Sequence, residues 1–145
     1  MFKSIYNIAA SAMSASRLRV NTIASNIANA QTTRTEEGGP YKRRDVLLAA
    51  QDIKKSGFSS ALDEASLKGV QVAAVVVDDK PPKLVFDPGH PDADPNTGMV
   101  AMPNINPVTE MANMISASAA YKAAAEVAAV TKDMSRSLQK LAERF

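Results

Sequence analysis

The residues best placed to do chemistry lie in one loop, Asp87-Pro88-Gly89-His90-Pro91-Asp92-Ala93-Asp94-Pro95-Asn96-Thr97-Gly98, which holds the single histidine of the chain. Asp92, Asp94 and Asn96 alternate there as oxygen donors do in calcium loops. A loop of that kind needs glycine at its sixth position, for the sharp turn, and a bidentate glutamate at its twelfth. Counted from Asp92, those places hold Thr97 and Pro103, so the calcium reading fails. His90 with the aspartates is still a donor set that suits a divalent metal, and a metal-binding module centred on His90 stands as an alternative. The simpler reading is a rigid, self-capped turn. Prolines fix φ, glycines open the backbone, and Asp side chains accept from neighbouring N–H groups. On that reading the loop takes no metal and no other cofactor.

Enzymatic chemistry has less support. With no cysteine, the chain has no thiolate nucleophile, disulfide or thiolate metal site. Ser4 and Ser11 stand outside any nucleophile-elbow context, and no glycine-rich phosphate loop precedes a helix. No pair of carboxylates is spaced for acid–base work, so neither an enzyme nor a small-molecule substrate is expected. Lys42-Arg43-Arg44 could hold phosphate, but three basic residues at a strand start read as a solvated face. No nucleic-acid module surrounds them, and a net charge of +2 is too small to imply a polyanion partner.

The elements that must carry these residues are led by the stretch Asn106–Phe145. Asn106-Pro107 is an N-cap residue type followed by proline at the first helical position, where the missing N–H costs nothing. No further proline and no glycine follows. Val108, Met111, Ile115, Ser118, Tyr121, Ala125, Ala128, Met134, Leu138, Leu141 and Phe145 fall largely at three- and four-residue steps, a helical stripe. Such a helix would be roughly 55–60 Å long, more than a core built by 145 residues can cover. It calls for a partner helix and partner chains.

Ser4 to Asn29 predicts a second helix, with Ile5, Ile8, Ala12, Ala15, Ile23 and Ile27 on one face. Its alanine, serine and asparagine positions would let other helix backbones approach closely. Asn29–Pro40 breaks that helix with turn formers. Strands are predicted at Tyr41–Ala50, Gly69–Val77, Lys83–Phe86 and Met99–Met102, joining as one small antiparallel sheet, with a polar loop or mobile insert over Gln51–Leu67. The expected fold class is α+β. Residues 1–30 and 106–145 would pair as an antiparallel coiled-coil stalk, and residues 31–105 would form the linker and β-rich domain.

No apolar run approaches the ~20 residues of a membrane-spanning helix, so no membrane insertion is expected. The start lacks the apolar core and cleavage site of a secretory signal. Residues 1–35 hold Lys3, Arg17, Arg19 and Arg34 with no acid, a composition shared with mitochondrial transit peptides.

The decade Ile23-Ala24-Ser25-Asn26-Ile27-Ala28-Asn29-Ala30-Gln31-Thr32 resembles the N-terminal signature of bacterial flagellar rod and hook proteins. The continuation Thr33–Tyr41, the blocks Phe86–Asp94, Pro103–Asn106 and Met114–Ser118, and Ala120-Tyr121 resemble rod members of the same family, in the same order. The family usually carries arginine, glutamate and asparagine where this chain has Ala119, Lys122 and Ala124, so polar contacts at those places do not carry over. The resemblance implies a structural subunit of the proximal rod of the flagellar basal body, which crosses the periplasm. It implies paired terminal helices building an inner tube, with a small β domain farther out. It implies export by the flagellar type III apparatus without a cleaved signal, which displaces the transit-peptide reading. The implied partners are other copies of the chain and other rod proteins.

On this reading the subunit interface comprises Ile5, Ile8, Ala12, Ile23, Asn26, Ile27 and Asn29 of the first helix with Met111, Ile115, Tyr121, Ala125, Leu138 and Leu141 of the second. Asn26 and Asn29 are also candidates to cap helix ends or bond neighbouring backbones. A lone chain would bury too little to offset a backbone entropy of roughly 1–2 kcal/mol per residue, so the terminal helices are expected to order on assembly. A monomeric coiled-coil adaptor would share the stripes but keep ordered ends at low concentration.

Overall fold

The computed structural model describes residues 2–52 and 67–143. Helix α1 runs Phe2–Ala28, followed by strands β1 (Arg44–Asp52), β2 (Lys68–Val77), β3 (Lys83–Phe86) and β4 (Met99–Met102), and by helix α2 (Pro107–Ala142). The class is α+β, as expected. Most of the predicted Gln51–Leu67 loop, residues 53–66, lies outside the described residues, as does Phe145; Gln51 and Asp52 belong to β1.

The start of α2 is the predicted cap. Asn106 Oδ1 accepts from the N–H groups of Val108 at 3.0 Å and Thr109 at 3.5 Å, while its carbonyl accepts from Glu110 N–H at 3.0 Å. Two of the four amides that a helix start leaves without partners are thereby met. The end of α1 is closed by Asn29, whose side-chain N–H₂ and backbone N–H both donate to the Ser25 carbonyl, at 2.9 and 3.1 Å.

The strands form two ribbons rather than one sheet: β1 pairs with β2, and β3 with β4. The β3–β4 pair is antiparallel, with Leu84 opposite Ala101 and Phe86 opposite Met99. Since facing residues share a side and successive residues alternate, Leu84, Phe86, Met99 and Ala101 make one face and Val85 and Val100 belong to the other. Val100 is buried, whereas Leu84 and Phe86 are exposed. Gly98, just before β4, has φ +66°, and a Cβ there would stand 2.9 Å from the Phe86 ring. Only glycine fits that point.

The chain divides into two compact units. One comprises residues 1–18, 47–74 and 117–145, the other residues 19–46 and 75–116. In the first, Ala9, Ala15, Ala117 and Thr131 are buried. Ser11, weighed as a nucleophile, has a structural place there: its hydroxyl donates to the Ile8 carbonyl at 2.7 Å and accepts from Val70 N–H at 3.1 Å. In the second unit the buried set is Ile23, Val46, Val100 and Pro103 together with two polar residues, Asn26 and Glu110.

Candidate functional site

Asn26 is wholly buried in the second unit, and all four of its side-chain hydrogen-bonding positions are filled. Its N–H₂ donates to the Arg44 carbonyl at 2.8 Å and to Glu110 Oε2 at 3.0 Å. Its Oδ1 accepts from Arg44 N–H at 3.0 Å and from the Tyr41 hydroxyl at 3.3 Å. An unpaired polar group at such depth would cost about 1–3 kcal/mol. The carboxylate of Glu110, also buried, is met by three donors. They are Asn26, Arg43 Nε at 3.0 Å, and Asn113 Nδ2 at 3.4 Å. A buried carboxylate is tolerated when paired and hydrogen-bonded in this way.

Arg43 departs from the solvated face expected of Lys42–Arg44. Its side chain is mostly covered and bridges Glu110 to Asp45, the second contact at 3.2 Å. Burial works against its charge, but the hydrogen bonds to Glu110 and Asp45 and their negative charges outweigh it, raising its pKa above the ordinary arginine value. Arg44 lies 5.9 Å from the centre of the Tyr41 ring, and Lys42 sits 3.6 Å from Asp79. Lys42 and Arg44 stay exposed, as the solvated-face reading expected, and Arg43 alone is drawn into the fold.

The His90 loop is a self-capped turn. Asp87 Oδ1 accepts from Gly89 N–H at 3.2 Å, Asp94 Oδ1 from Asn96 N–H at 2.8 Å, and His90 Nδ1 from Asp92 N–H at 3.0 Å. The Asp92 carboxylate accepts from the Thr33 hydroxyl at 2.8 Å and pairs with Arg34, tying the loop to the segment after α1. The Thr33 bond, reinforced by the charges of Arg34 and His90 against a desolvation penalty, holds the Asp92 pKa below the usual aspartate value. Among the described residues no three His, Asp or Glu side chains gather as a metal-holding group.

The residues expected at a subunit interface fall into three groups. Ile23 and Asn26 are buried; Ile5, Ile8, Ala12, Ile27, Asn29 and Ala125 are half-buried. Met111, Ile115, Tyr121, Leu138 and Leu141 are exposed, Ile115 at 72%. Beside them Val108, Val127, Val130 and Met134 also stand in solvent. No helix among the described residues is long and apolar enough to cross a membrane.

Two family models match the chain, described as flagella basal body rod protein over residues 7–34 and flagellar basal body rod FlgEFG protein C-terminal over residues 96–141. The chain is 42% identical over 144 residues to the flagellar basal-body rod protein FlgC of Borreliella burgdorferi, covering 94% of each. It is 42% identical to the FlgC of Yersinia enterocolitica and 40% identical to that of Salmonella typhimurium, covering 90% of each chain in both cases. This chain belongs to the FlgC family of flagellar basal-body rod proteins.

As a FlgC-family member it is a structural protein of the basal-body rod and not an enzyme. Within this FlgC-family fold, the rod signature Ile23–Thr32 supplies Asn26 to the buried junction and Asn29 to the helix end. Sequence reading singled out both asparagines but missed Tyr41, Arg43 and Glu110. The one available signal was Glu110, an acid in the first turn of α2 at the usual place for a solvent-exposed helix-dipole partner.

Proposed function

We propose that this FlgC-family chain is a subunit of the proximal rod. It assembles helically, with copies of itself and with other rod proteins, into the shaft that crosses the periplasm. The observation that supports this most is the apolar surface of α2. Val127, Val130, Met134, Leu138 and Leu141 recur at three- and four-residue steps and are each half-exposed or more. A stripe of that spacing is what helices present to other helices, and patches of this kind mark interaction surfaces. In the assembled rod the terminal helices would pair as an antiparallel coiled coil. Met111, Ile115, Tyr121, Ala125, Leu138 and Leu141 would meet Ile5, Ile8, Ala12, Ile23 and Ile27 of the same or neighbouring subunits, with Asn26 and Asn29 holding the helix end that carries those contacts.

A rod contact of this type is heterologous, head to tail, and so continues as a filament instead of closing as a dimer. Export through the flagellar type III apparatus precedes assembly, and ordering of the terminal helices accompanies it. Leu138→Lys tests the surface directly. A charge on the stripe should abolish motility and rod formation while the purified chain keeps its β signals in NMR spectra. Motile cells carrying this variant would refute the packing scheme.

A further inference from the structure

We propose that the junction around Asn26 is a nucleation seed. It holds residues 19–28 and 107–116 helical in the unassembled chain, and the outer lengths of both helices grow from it on assembly. The inference rests on the coupled-ordering reading above. Starting a helix is the unfavourable step, because several residues are fixed before the first hydrogen bond forms, whereas each later residue adds one bond. Whatever pins a first turn therefore decides where order begins.

The junction pins a turn of each helix from inside a single chain. Asn26 lies in the last turn of α1 and Glu110 in the first turn of α2, bonded to each other at 3.0 Å. Both belong to the same compact unit as Tyr41, Arg43 and Arg44, so every bond of the cluster is made without a second subunit. The adjoining ends are also capped, by Asn29 after α1 and Asn106 before α2. The far ends differ. The first turn of α1 carries no acidic residue to complement the helix dipole. In α2 beyond Ser116, Ala117 and Thr131 are the buried residues among those described, while six large hydrophobic side chains, from Tyr121 to Leu141, stay in solvent. The outer lengths have internal support of their own, through buried Ala9, Ala15, Ala117 and Thr131 and the Ser11–Val70 bond. That support is small side chains and one bond, and covering the apolar stripe awaits a partner.

Asparagine is specific to this role. Its carboxamide offers a donor and an acceptor side by side, matching the N–H and C=O of Arg44. Aspartate lacks the donor, and glutamine is one methylene too long.

The test is amide hydrogen exchange on the full chain at low concentration, comparing the native sequence with Asn26→Ala and Tyr41→Phe. Asn26→Ala should lower protection by ~10-fold or more in residues 20–28 and 110–116 together, although Asn26 and Glu110 stand 84 positions apart. Tyr41→Phe removes the hydroxyl's bonds to Asn26 and Ser25 but leaves the rest of the cluster, and should lower both segments by roughly three-fold in the same pattern. If Asn26→Ala unfolds the chain, Tyr41→Phe decides the matter alone. Loss confined to α1, with 110–116 unchanged, overturns the seed, as does Tyr41→Phe without effect. Uniform protection along both helices of the native chain would instead refute coupled ordering, a separate failure.

Discussion

The side chain of Asn26 pairs with the main chain of Arg44 as a neighbouring strand would, donating to its carbonyl at 2.8 Å and accepting from its N–H at 3.0 Å. One helical residue thereby closes the otherwise open start of β1 and, through Glu110, fixes the first turn of α2. Removing the amide takes both bonds from the Arg44 main chain and one each from buried Glu110 and from Tyr41. Asn26→Ala should lower stability by about 3 kcal/mol, as measured by urea unfolding of the full chain. A loss below ~0.5 kcal/mol would mean that water replaces the amide without penalty.

Arg43 and Glu110 should show real coupling, because the carboxylate is buried and the guanidinium mostly covered. Each single change to methionine strands its partner and should destabilise by about 2–3 kcal/mol. The Arg43→Met/Glu110→Met pair removes both charges, so it should be less destabilised than the two losses summed, by about 1–2 kcal/mol. A double-mutant cycle that closes to zero would reduce this ion pair to a surface contact.

Part of the acid sensitivity should trace to Asp92. Its folded pKa is depressed, first by the Thr33 hydrogen bond and then by Arg34 and His90. The folded chain therefore binds fewer protons than the unfolded one, whose aspartates titrate near the ordinary ~3.9. The contribution is fully present above that ordinary value and is lost as pH falls through the lower, folded one. Unfolding measured from pH 6 downward should show a drop that begins near pH 4–5 and is flatter in Asp92→Asn. Identical slopes in the two proteins would show that Asp92 carries none of it.

Glycines 38 and 98 share a left-handed backbone, with φ +87° and +66°, but differ in surroundings. A Cβ on Gly38 meets nothing within 4 Å, whereas one on Gly98 meets the Phe86 ring at 2.9 Å and Pro88 at 3.4 Å. Gly38→Ala should cost about 1 kcal/mol, the backbone penalty alone, and Gly98→Ala about 2–3 kcal/mol once steric displacement is added. Thermal melts of the two variants separate these contributions; equal shifts in Tm would show that the Phe86 ring moves aside freely.

A lysine at Ala12 or Ala125, both half-buried, should block assembly while leaving the β3–β4 ribbon folded. Sedimentation at high concentration and swimming assays check the first part, and the chemical shifts of Leu84 and Val100 check the second. Swimming cells with either lysine would remove these two positions from the interface.

By itself the sequence determined what local physics can write. Apolar spacing marked both helices, Asn106-Pro107 marked the start of α2, and β-branched runs marked the strands, with β3 and β4 placed to the residue. The Asp- and Pro-rich loop declared itself a turn because its hydrogen bonds span only a few residues. Family membership was also legible, since the rod signature is a contiguous string. Only the tertiary structure decided what depends on distant partners. It split the expected sheet into two ribbons, since strand pairing is set by long-range register and not by strand propensity. It turned Arg43 from a solvated charge into the partner of Glu110, 67 positions away. It also made Asn26, which the sequence offered as a helix cap, a partner for a neighbouring backbone or an interface residue, the buried link between a helix, a strand and a second helix. Local propensity carries no information about such meetings, because their energy exists only once the chain has brought the groups together and excluded water.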